Sequence, residues 1–408
     1  MSSDLIGLNT ILLVSLLFII IGLLKPSISK IIYVALFIRV LLILLNHYVI
    51  DLPDSSKDAR SYESDAWEWA QNGFFNLSNY YTGPDAEFIS WMIAIPYSLF
   101  GRSILMAESI SLLFGMGSIY LGWLLAKKLW DNRTAIKVAW ILALFPSLLL
   151  YSVLTMREVF VYFFLLVAMF GVVQWARVGG YRSIILAMFG FTGATFFHGA
   201  MFLGFIFFLL IVMKRNFLTS LKLIMVGRIS PKTFIVILIS MIILTLYFSN
   251  KIRISKIGTF KDSLQILNLN RATDSRLAGG AAYPEWTIIN SPAEILYKSP
   301  VRALYFLFAP FPWDIKKSTH IIGLIDGLCY MTLVFLILRN LKVIWKDPAL
   351  RIILLILFCY FLIFGIGVSN FGTGLRHRSK FFIELVILAA PFIPRFIFLK
   401  KKLRKNLK

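Results

Sequence analysis

Long apolar runs separated by short polar segments dominate the chain. A hydrocarbon core about 30 Å thick needs roughly 20 apolar residues in a helix. Runs of this kind cover residues 5–24, 31–50, 104–126, 135–153, 159–175, 183–197, 199–213, 234–248, 320–338, 351–368 and 380–398. The pattern predicts an all-α, polytopic membrane protein of about 11 transmembrane helices. Where the polar His198 interrupts the stretch 183–213, we expect two helices.

Composition and charge support this fold class and limit the partners. Apolar residue types make up 59% of the 408 residues and the mean hydropathy is +0.80, which is more apolar matter than a soluble domain buries. Lys and Arg gather in the segments 25–30, 127–133, 176–182, 214–232, 339–351 and 400–408. Short basic loops stay in the cytoplasm. We attribute the net charge of +22 mainly to these loops facing anionic membrane lipid, and predict no nucleic-acid partner.

The same bias places two large loops, 51–103 and 249–319, on the outer side of a single integral membrane domain that spans 1–408. The first loop contains "EFISWMIAIPYSLFG", which is short and interrupted by proline, and we predict an interfacial helix there. The second contains "SPVRALYFLFAPFPW", whose three prolines argue against a continuous helix. We expect this segment to lie at the interface too. We also expect the functional site to lie between the two loops.

The acidic segment "DARSYESDAWEWAQNG", residues 58–73, opens the first loop. Asp58, Tyr62, Asp65 and Trp69 recur near the helical period, so a helix here would carry one polar and aromatic face. The acids of this loop have two interpretations. They either form a functional site or only keep an outer loop in water.

Charged and histidine residues at other outer positions add candidates. Arg157 and Glu158 stand at the outer end of a predicted span, where they form either a structural ion pair or a substrate site. His198 is either a packing residue or a substrate contact. The segment "NFGTGLRHRSKFF" holds Arg376, His377, Arg378 and Lys380.

These last four residues lie on the side that Lys and Arg usually avoid, so orientation of the chain does not explain them. We predict that they bind phosphate or pyrophosphate. The alternative is that they reach lipid headgroups. The sequence has no nucleotide-binding loop and no nucleophile elbow, which favours a lipid-linked donor over a nucleotide sugar.

The first 200 residues resemble the GT-C glycosyltransferases. Asp58, Tyr62 four residues later, the adjacent Glu63, Ala66 and then Gly73 are similar to the first outer-loop signature of that family. Members include the protein O-mannosyltransferases and the bacterial enzymes that add aminoarabinose to lipid A. The segment "ALFPSLLLYSVLTMREVFVYFF" is similar to the second polar outer motif of the family. The chain departs from the family pattern before the interfacial helix, where it has "YTGPDAEF" in place of a double proline.

The resemblance implies a GT-C-like fold in a bacterial plasma membrane, with an active site on the extracytoplasmic side. It implies a polyprenyl-phosphate- or polyprenyl-pyrophosphate-linked sugar donor and a glycan, lipid or protein acceptor. Asp58 would be the catalytic base and Glu158 would orient the acceptor or hold a cation. The expected substrate contacts are Arg60, Tyr62, Arg157, His198, Arg376, His377, Arg378 and Lys380. No cofactor is identified from the sequence, and a divalent cation stays an open alternative, because the acids permit one without demanding it.

Two other functions remain open from the sequence. A polysaccharide polymerase that joins lipid-pyrophosphate-linked repeat units has similar size, hydrophobicity and outer-face arginines, and "RLAGGAAYPEW" in the second loop is typical of such chains. A flippase or transporter of lipid-linked oligosaccharides is the third hypothesis. It predicts charges along a path through the spans, whereas the predicted polar sets all lie on one side.

Overall fold

The computed structural model describes residues 3–56, 58–224, 238, 245, 280–289, 291, 293–317 and 319–394. The regular structure of these residues is helical. The first ten helices are α1 Ser3–Leu24, α2 Ser29–Tyr48, α3 Asp58–Ala70, α4 Phe88–Phe100, α5 Ile104–Leu129, α6 Asn132–Leu144, α7 Pro146–Tyr151, α8 Glu158–Val178, α9 Tyr181–Phe197 and α10 Met201–Ile224. They are followed by α11 Glu294–Phe308, α12 Thr319–Arg339, α13 Leu341–Lys346, α14 Pro348–Gly367, α15 Phe371–Arg378 and α16 Phe382–Ala389.

Among the described residues, six helices are long and apolar enough to cross a membrane. They are α1, α2, α5, α8, α14 and, within α12, His320–Arg339. Many of the large apolar side chains on α1 and α12 are exposed, as expected for helices that face lipid. The chain is therefore an all-helical protein with several candidate membrane spans.

The number of candidate spans in the described residues is below the predicted value because some apolar runs are divided. Residues 135–153 form α6 and α7, with extended backbone at Phe145 before Pro146. The start of the run 380–398 is a 3-10 turn followed by the short helix α16. The predicted span 234–248 lies almost wholly outside the described residues, as do 249–279 of the second loop and the basic segment 400–408. The total of about 11 spans stays a prediction.

Two local predictions are confirmed. Helix α9 ends at Phe197 and α10 begins at Met201, so the chain breaks at His198 as predicted. As its prolines predict, the segment 299–313 is not one continuous helix, because α11 ends at Phe308 before Pro310. A helix, α4, occupies the segment predicted to be an interfacial helix, and its place at the membrane interface stays a prediction. Within α11 the helix continues through Pro300. Packing of α11 against α14 outweighs the local cost of that proline.

Glycines allow α8 and α9 to pack with their backbones in close contact. A Cβ atom at Gly190 would lie 2.2 Å from the Ala168 nitrogen, and one at Gly171 would lie 2.4 Å from the Ala187 nitrogen. Small residues at such interfaces are typical of membrane helices, whose association depends on close packing. The α8–α9 pair therefore forms a rigid support for the residues at its end.

This contact leads to a stability prediction. Gly190→Ala should destabilise the protein by about 1–3 kcal/mol, because the added methyl group meets backbone that cannot move aside. Thermal unfolding of purified protein in detergent measures the effect. Gly367→Ala is the matched control, since a Cβ there meets no atom within 4 Å. Equal melting temperatures for the two variants would contradict the prediction.

Buried arginines bind the carbonyl groups at helix ends. Arg39 of α2 donates to Ala143 O at 3.0 Å and to Leu142 O at 3.3 Å, at the C-terminus of α6. Arg302 of α11 donates to Gly365 O at 2.9 Å and Val368 O at 2.7 Å, at the C-terminus of α14. These carbonyls have no partner within their own helix, and a positive charge is favourable there. Part of the buried positive charge is therefore structural.

Candidate functional site

Helix α3 places Asp58 and Tyr62 on one face, one turn apart. Glu63 of the same helix accepts hydrogen bonds from Arg102 Nη2 at 2.8 Å and from the Tyr97 hydroxyl at 2.9 Å. Burial and the nearby Glu63 raise the pKa of Tyr97, so its hydroxyl stays protonated and donates. Glu63 thus anchors α3 to α4 and to the loop that precedes α5.

Arg376 connects α3 to the start of α8. Its Nε donates to Glu158 Oε1 at 2.8 Å, and its Nη1 donates to Asp58 Oδ2. Lys380 Nζ lies 3.6 Å from the same Glu158 oxygen. Residues that are about 100 and more than 200 positions apart in the sequence therefore meet at one point. We call Asp58, Arg157, Glu158, Arg376 and Lys380 the charged cluster.

The described part of the loop 249–319 contacts the segment that carries Arg376. Asn370 caps the N-terminus of α15, which carries Arg376, and its Oδ1 accepts from Thr373 N at 2.8 Å. Just before it, Ala282 and Asn370 form an antiparallel bridge, with Tyr283 N donating to Ser369 O at 2.9 Å. The loops 51–103 and 249–319 are thereby connected through the segment that carries Arg376.

The charged cluster carries more positive than negative groups. The cations of Arg157, Arg376 and Lys380 face the carboxylates of Asp58 and Glu158. Burial alone would lower the pKa of Arg376, but Glu158 and Asp58 outweigh it, so the pKa of Arg376 is raised above its ordinary value. Arg376 therefore stays charged at every physiological pH, and the excess positive charge favours an anionic ligand.

Tyr62 lies beside these groups. Burial raises the pKa of its hydroxyl, and the nearby Arg157 and Arg376 oppose that effect only in part. The Tyr62 hydroxyl is consequently a neutral donor at the edge of the charged cluster.

Several buried hydrogen-bonding atoms of the charged cluster have no partner among the residues that the structure describes. They are Nε and Nη1 of Arg157, Nη2 of Arg376 and Oε2 of Glu158. Arg157 is only 5% exposed, and a buried guanidinium donor without a partner is costly. Planar guanidinium groups fit the oxygens of phosphate well. The arrangement can bind a phosphate group beside Asp58, whose side chain is 49% exposed.

Two histidines adjoin the charged cluster. His377 Nδ1 lies 2.9 Å from Lys380 Nζ, and the His377 ring stands 5.1 Å from that of His198, measured between centroids. His198 reaches this position because α9 ends immediately before it. The break between α9 and α10 thus brings a predicted substrate contact to the site.

No family model matches the chain, and no curated protein or solved structure shows significant similarity to it. In the described part of the chain, no three His, Cys, Asp or Glu side chains come together as metal ligands.

Arg378 and Arg60 lie away from the charged cluster. Arg378 is fully buried; its Nε donates to Asp326 Oδ2 at 2.8 Å, and its Nη1 donates to Leu307 O at 2.9 Å and Ala309 O at 2.8 Å. Side chains two positions apart in a helix point to nearly opposite sides, so Arg376 and Arg378 have different environments. Arg60 is exposed and pairs with Asp51 at 2.9 Å. Exposed ion pairs of this kind contribute little to stability.

Glu108 is a buried polar residue that our sequence analysis did not select. It belongs to α5, is 3% exposed, and its Oε1 accepts from Asn46 Nδ2 at 2.8 Å. The sequence contains the relevant signal, because an acid within the predicted span 104–126 is expensive unless it has a function.

Proposed function

We propose that this protein is a membrane glycosyltransferase that moves a sugar from a polyprenyl-phosphate-linked donor to an acceptor at the extracytoplasmic face. One observation carries the proposal. Buried, unpartnered guanidinium donors of Arg157 and Arg376 lie next to a half-exposed carboxylate, Asp58. The guanidinium donors can bind a phosphate group, and the carboxylate can act as a proton acceptor.

The donor phosphate would be held by the arginines of the charged cluster. Nε and Nη1 of Arg157 and Nη2 of Arg376 supply hydrogen bonds that no described protein group uses. Such donors stabilise the negative charge that develops on the leaving phosphate, and their positions are already set before the reaction. The excess positive charge of the cluster supports the same assignment.

The reaction uses Asp58 as general base. Asp58 takes the proton of the acceptor hydroxyl, and the oxygen of that hydroxyl forms a bond to the anomeric carbon of the donor sugar. The bond between that carbon and the phosphate oxygen breaks, and its electron pair leaves with the polyprenyl phosphate. Binding of phosphate to Arg376 would weaken its pairing with Asp58, which makes the carboxylate a better base when donor is present.

Glu158 has a different part in this proposal. Its side chain is fully buried and holds Arg376 at 2.8 Å, so it cannot approach an acceptor as Asp58 can. We assign Glu158 to positioning Arg376. The separation of roles follows from exposure, because a base must reach the proton that it removes.

A transport function receives less support from the geometry. A transporter places its charged groups along a path through the membrane. In the described residues, the predicted candidates other than Arg60 and Arg378 gather around the charged cluster. They lie at the end of the helix bundle where α2 ends and α8 begins. This placement favours chemistry at a membrane surface.

Binding of undecaprenyl phosphate, measured by native mass spectrometry of the purified protein in detergent, tests the proposal. Arg157→Gln should weaken this binding about tenfold or more, because a charge-assisted hydrogen bond contributes about 1.5–3 kcal/mol and 1.4 kcal/mol is tenfold. Folding should change little, since Arg157 Nε and Nη1 bond no described protein group.

Two controls accompany this measurement. Arg133→Gln removes an exposed arginine at the N-terminus of α6 and should leave binding unchanged. Undecaprenol, which lacks the phosphate, should bind the wild type weakly. Equal binding of undecaprenol and undecaprenyl phosphate, or equal affinity in Arg157→Gln and wild type, would contradict the phosphate site.

A further inference from the structure

A polar cavity of about 190 Å³ lies beside α3, next to the charged cluster. Ala59 and Glu63 of α3 line it, whereas Asp58 and Tyr62, on the neighbouring face of the same helix, belong to the charged cluster. Thr155 also lines the cavity and precedes Arg157 by two residues. The cavity and the charged cluster therefore share two structural elements, α3 and the segment that leads into α8.

Two buried polar atoms at this cavity have no partner among the described residues. They are Oε2 of Glu108 and the hydroxyl oxygen of Ser55, which is 6% exposed. The other Glu108 oxygen is held by Asn46 Nδ2, and Asn46 Oδ1 in turn accepts from Leu52 N at 3.0 Å. Glu108 is thus fixed in orientation with one carboxyl oxygen free for a ligand.

The other charged groups of the cavity already have protein partners. Glu63 accepts hydrogen bonds from Arg102 and Tyr97, Asp51 pairs with Arg60 at the exposed rim, and His47 Nε2 lies 3.7 Å from Asp4 Oδ1. The cavity therefore presents an uncommitted carboxyl oxygen at Glu108 and a hydroxyl at Ser55. Leaving such buried groups unsatisfied costs about 1–3 kcal/mol each, so a ligand with several hydroxyl groups would be favoured.

The size of the cavity sets the size of the ligand. A cavity of about 150 Å³ accommodates one benzene ring, so this one has room for a single six-membered ring with small substituents. Its polar lining disfavours a lipid tail. A sugar ring has the required dimensions and carries hydroxyl groups around its edge.

We infer that this cavity binds one pyranose ring, whose hydroxyls donate to Glu108 Oε2 and exchange hydrogen bonds with Ser55. That the bound sugar is part of a substrate rests on the proposed function, whereas the binding of a sugar ring to this cavity does not. The bound ring belongs either to the acceptor glycan or to the lipid-linked donor. In both cases it lies beside α3, the helix that carries Asp58.

Saturation-transfer NMR tests the inference with the purified protein in detergent. The probes are the methyl glycosides of glucose, galactose, mannose and N-acetylglucosamine at millimolar concentration. At least one should show transfer from the wild type. Glu108→Gln should reduce that signal severalfold, because its amide can keep the Asn46 bond while an NH2 group, which cannot accept a hydrogen bond, replaces the second carboxyl oxygen.

Two further variants keep the test decisive. Ser55→Ala removes the second polar contact without changing Glu108, and it should reduce the signal at least severalfold. Glu68→Gln alters an exposed acid of α3 and should keep the signal. No transfer from any glycoside to the wild type, or an undiminished signal in both Glu108→Gln and Ser55→Ala, would overturn the inference.

A competition experiment decides whether the bound ring belongs to the donor or to the acceptor. Undecaprenyl phosphate carrying the same sugar should displace the glycoside if the donor's sugar occupies the cavity, and should leave the signal unchanged if the acceptor's does. Binding of undecaprenyl phosphate itself should be equal in wild type and Glu108→Gln. Failure of the sugar site is thereby distinguished from failure of the phosphate site.

Discussion

Cells that carry Asp58→Asn should lose the glycan product of this protein. Asparagine keeps the shape of the side chain but cannot accept the proton of the acceptor hydroxyl, and general base catalysis contributes about 10²–10⁴-fold to such reactions. We therefore expect transfer to fall by about 10²-fold or more. Lipid-linked and cell-surface glycans, compared at matched membrane levels of the two proteins, measure the loss.

The form of the loss also separates two enzyme classes. Absence of a single sugar would indicate a monotransferase, and collapse of a long ladder to one repeat unit would indicate a polymerase.

Asp65→Asn is the matched control for this experiment. Asp65 lies on the same helix, and burial and the neighbouring Glu68 raise the pKa of its carboxyl, so it has no cationic partner comparable to Arg376. This variant should retain the glycans. Unchanged glycans in Asp58→Asn, at normal membrane levels, would show that Asp58 is not the base.

Arg376→Lys should fold and yet lose transfer. Lysine keeps a positive charge near Glu158, so the buried carboxylate is not left without a cation. A single ammonium group cannot contact Asp58, Glu158 and a phosphate in the fork geometry of arginine. In comparable sites, loss of one hydrogen-bond donor to a developing negative charge lowers the catalytic rate by about 10²–10³-fold. We expect a decrease of this size in transfer, with a melting temperature close to that of the wild type.

Two comparisons make this second prediction specific. Arg133→Lys changes an exposed arginine and should leave transfer unchanged. Arg376→Gln removes the cation altogether and should lower the melting temperature as well, because the buried Glu158 then loses its closest ion-pair partner and keeps Lys380 at 3.6 Å. Transfer at the wild-type rate in Arg376→Lys would refute the role of the guanidinium group.

Sequence patterns predicted the helical class and several helix positions well, since burial in lipid demands long apolar runs. They also selected the residues that meet at the charged cluster, because charged groups at the ends of apolar helices are rare. The division of the run 135–153 is a different matter. Helix α6 ends before Pro146, because the residue that precedes a proline avoids helical backbone. The carbonyls of Leu142 and Ala143 at this end are bound by Arg39, and a contact more than 100 positions away is not visible in a local pattern.

The different environments of Arg376 and Arg378 illustrate the limit of such patterns at the site. Both are arginines of one basic segment, and sequence composition treats them alike. The structure orients Arg376 towards Asp58 and Glu158 and Arg378 towards Asp326 and helix-end carbonyls. Which face of a short helix meets which neighbour depends on tertiary packing.

The most direct test is reconstitution of the purified protein in proteoliposomes with a lipid extract from cells that make its donor, followed by mass spectrometry. The account predicts that wild-type protein consumes a lipid-linked sugar and releases free polyprenyl phosphate together with a new glycosidic product, and that Asp58→Asn does neither. Movement of intact lipid-linked sugar between the two leaflets, with no glycosidic bond formed or broken by the wild type, would contradict it.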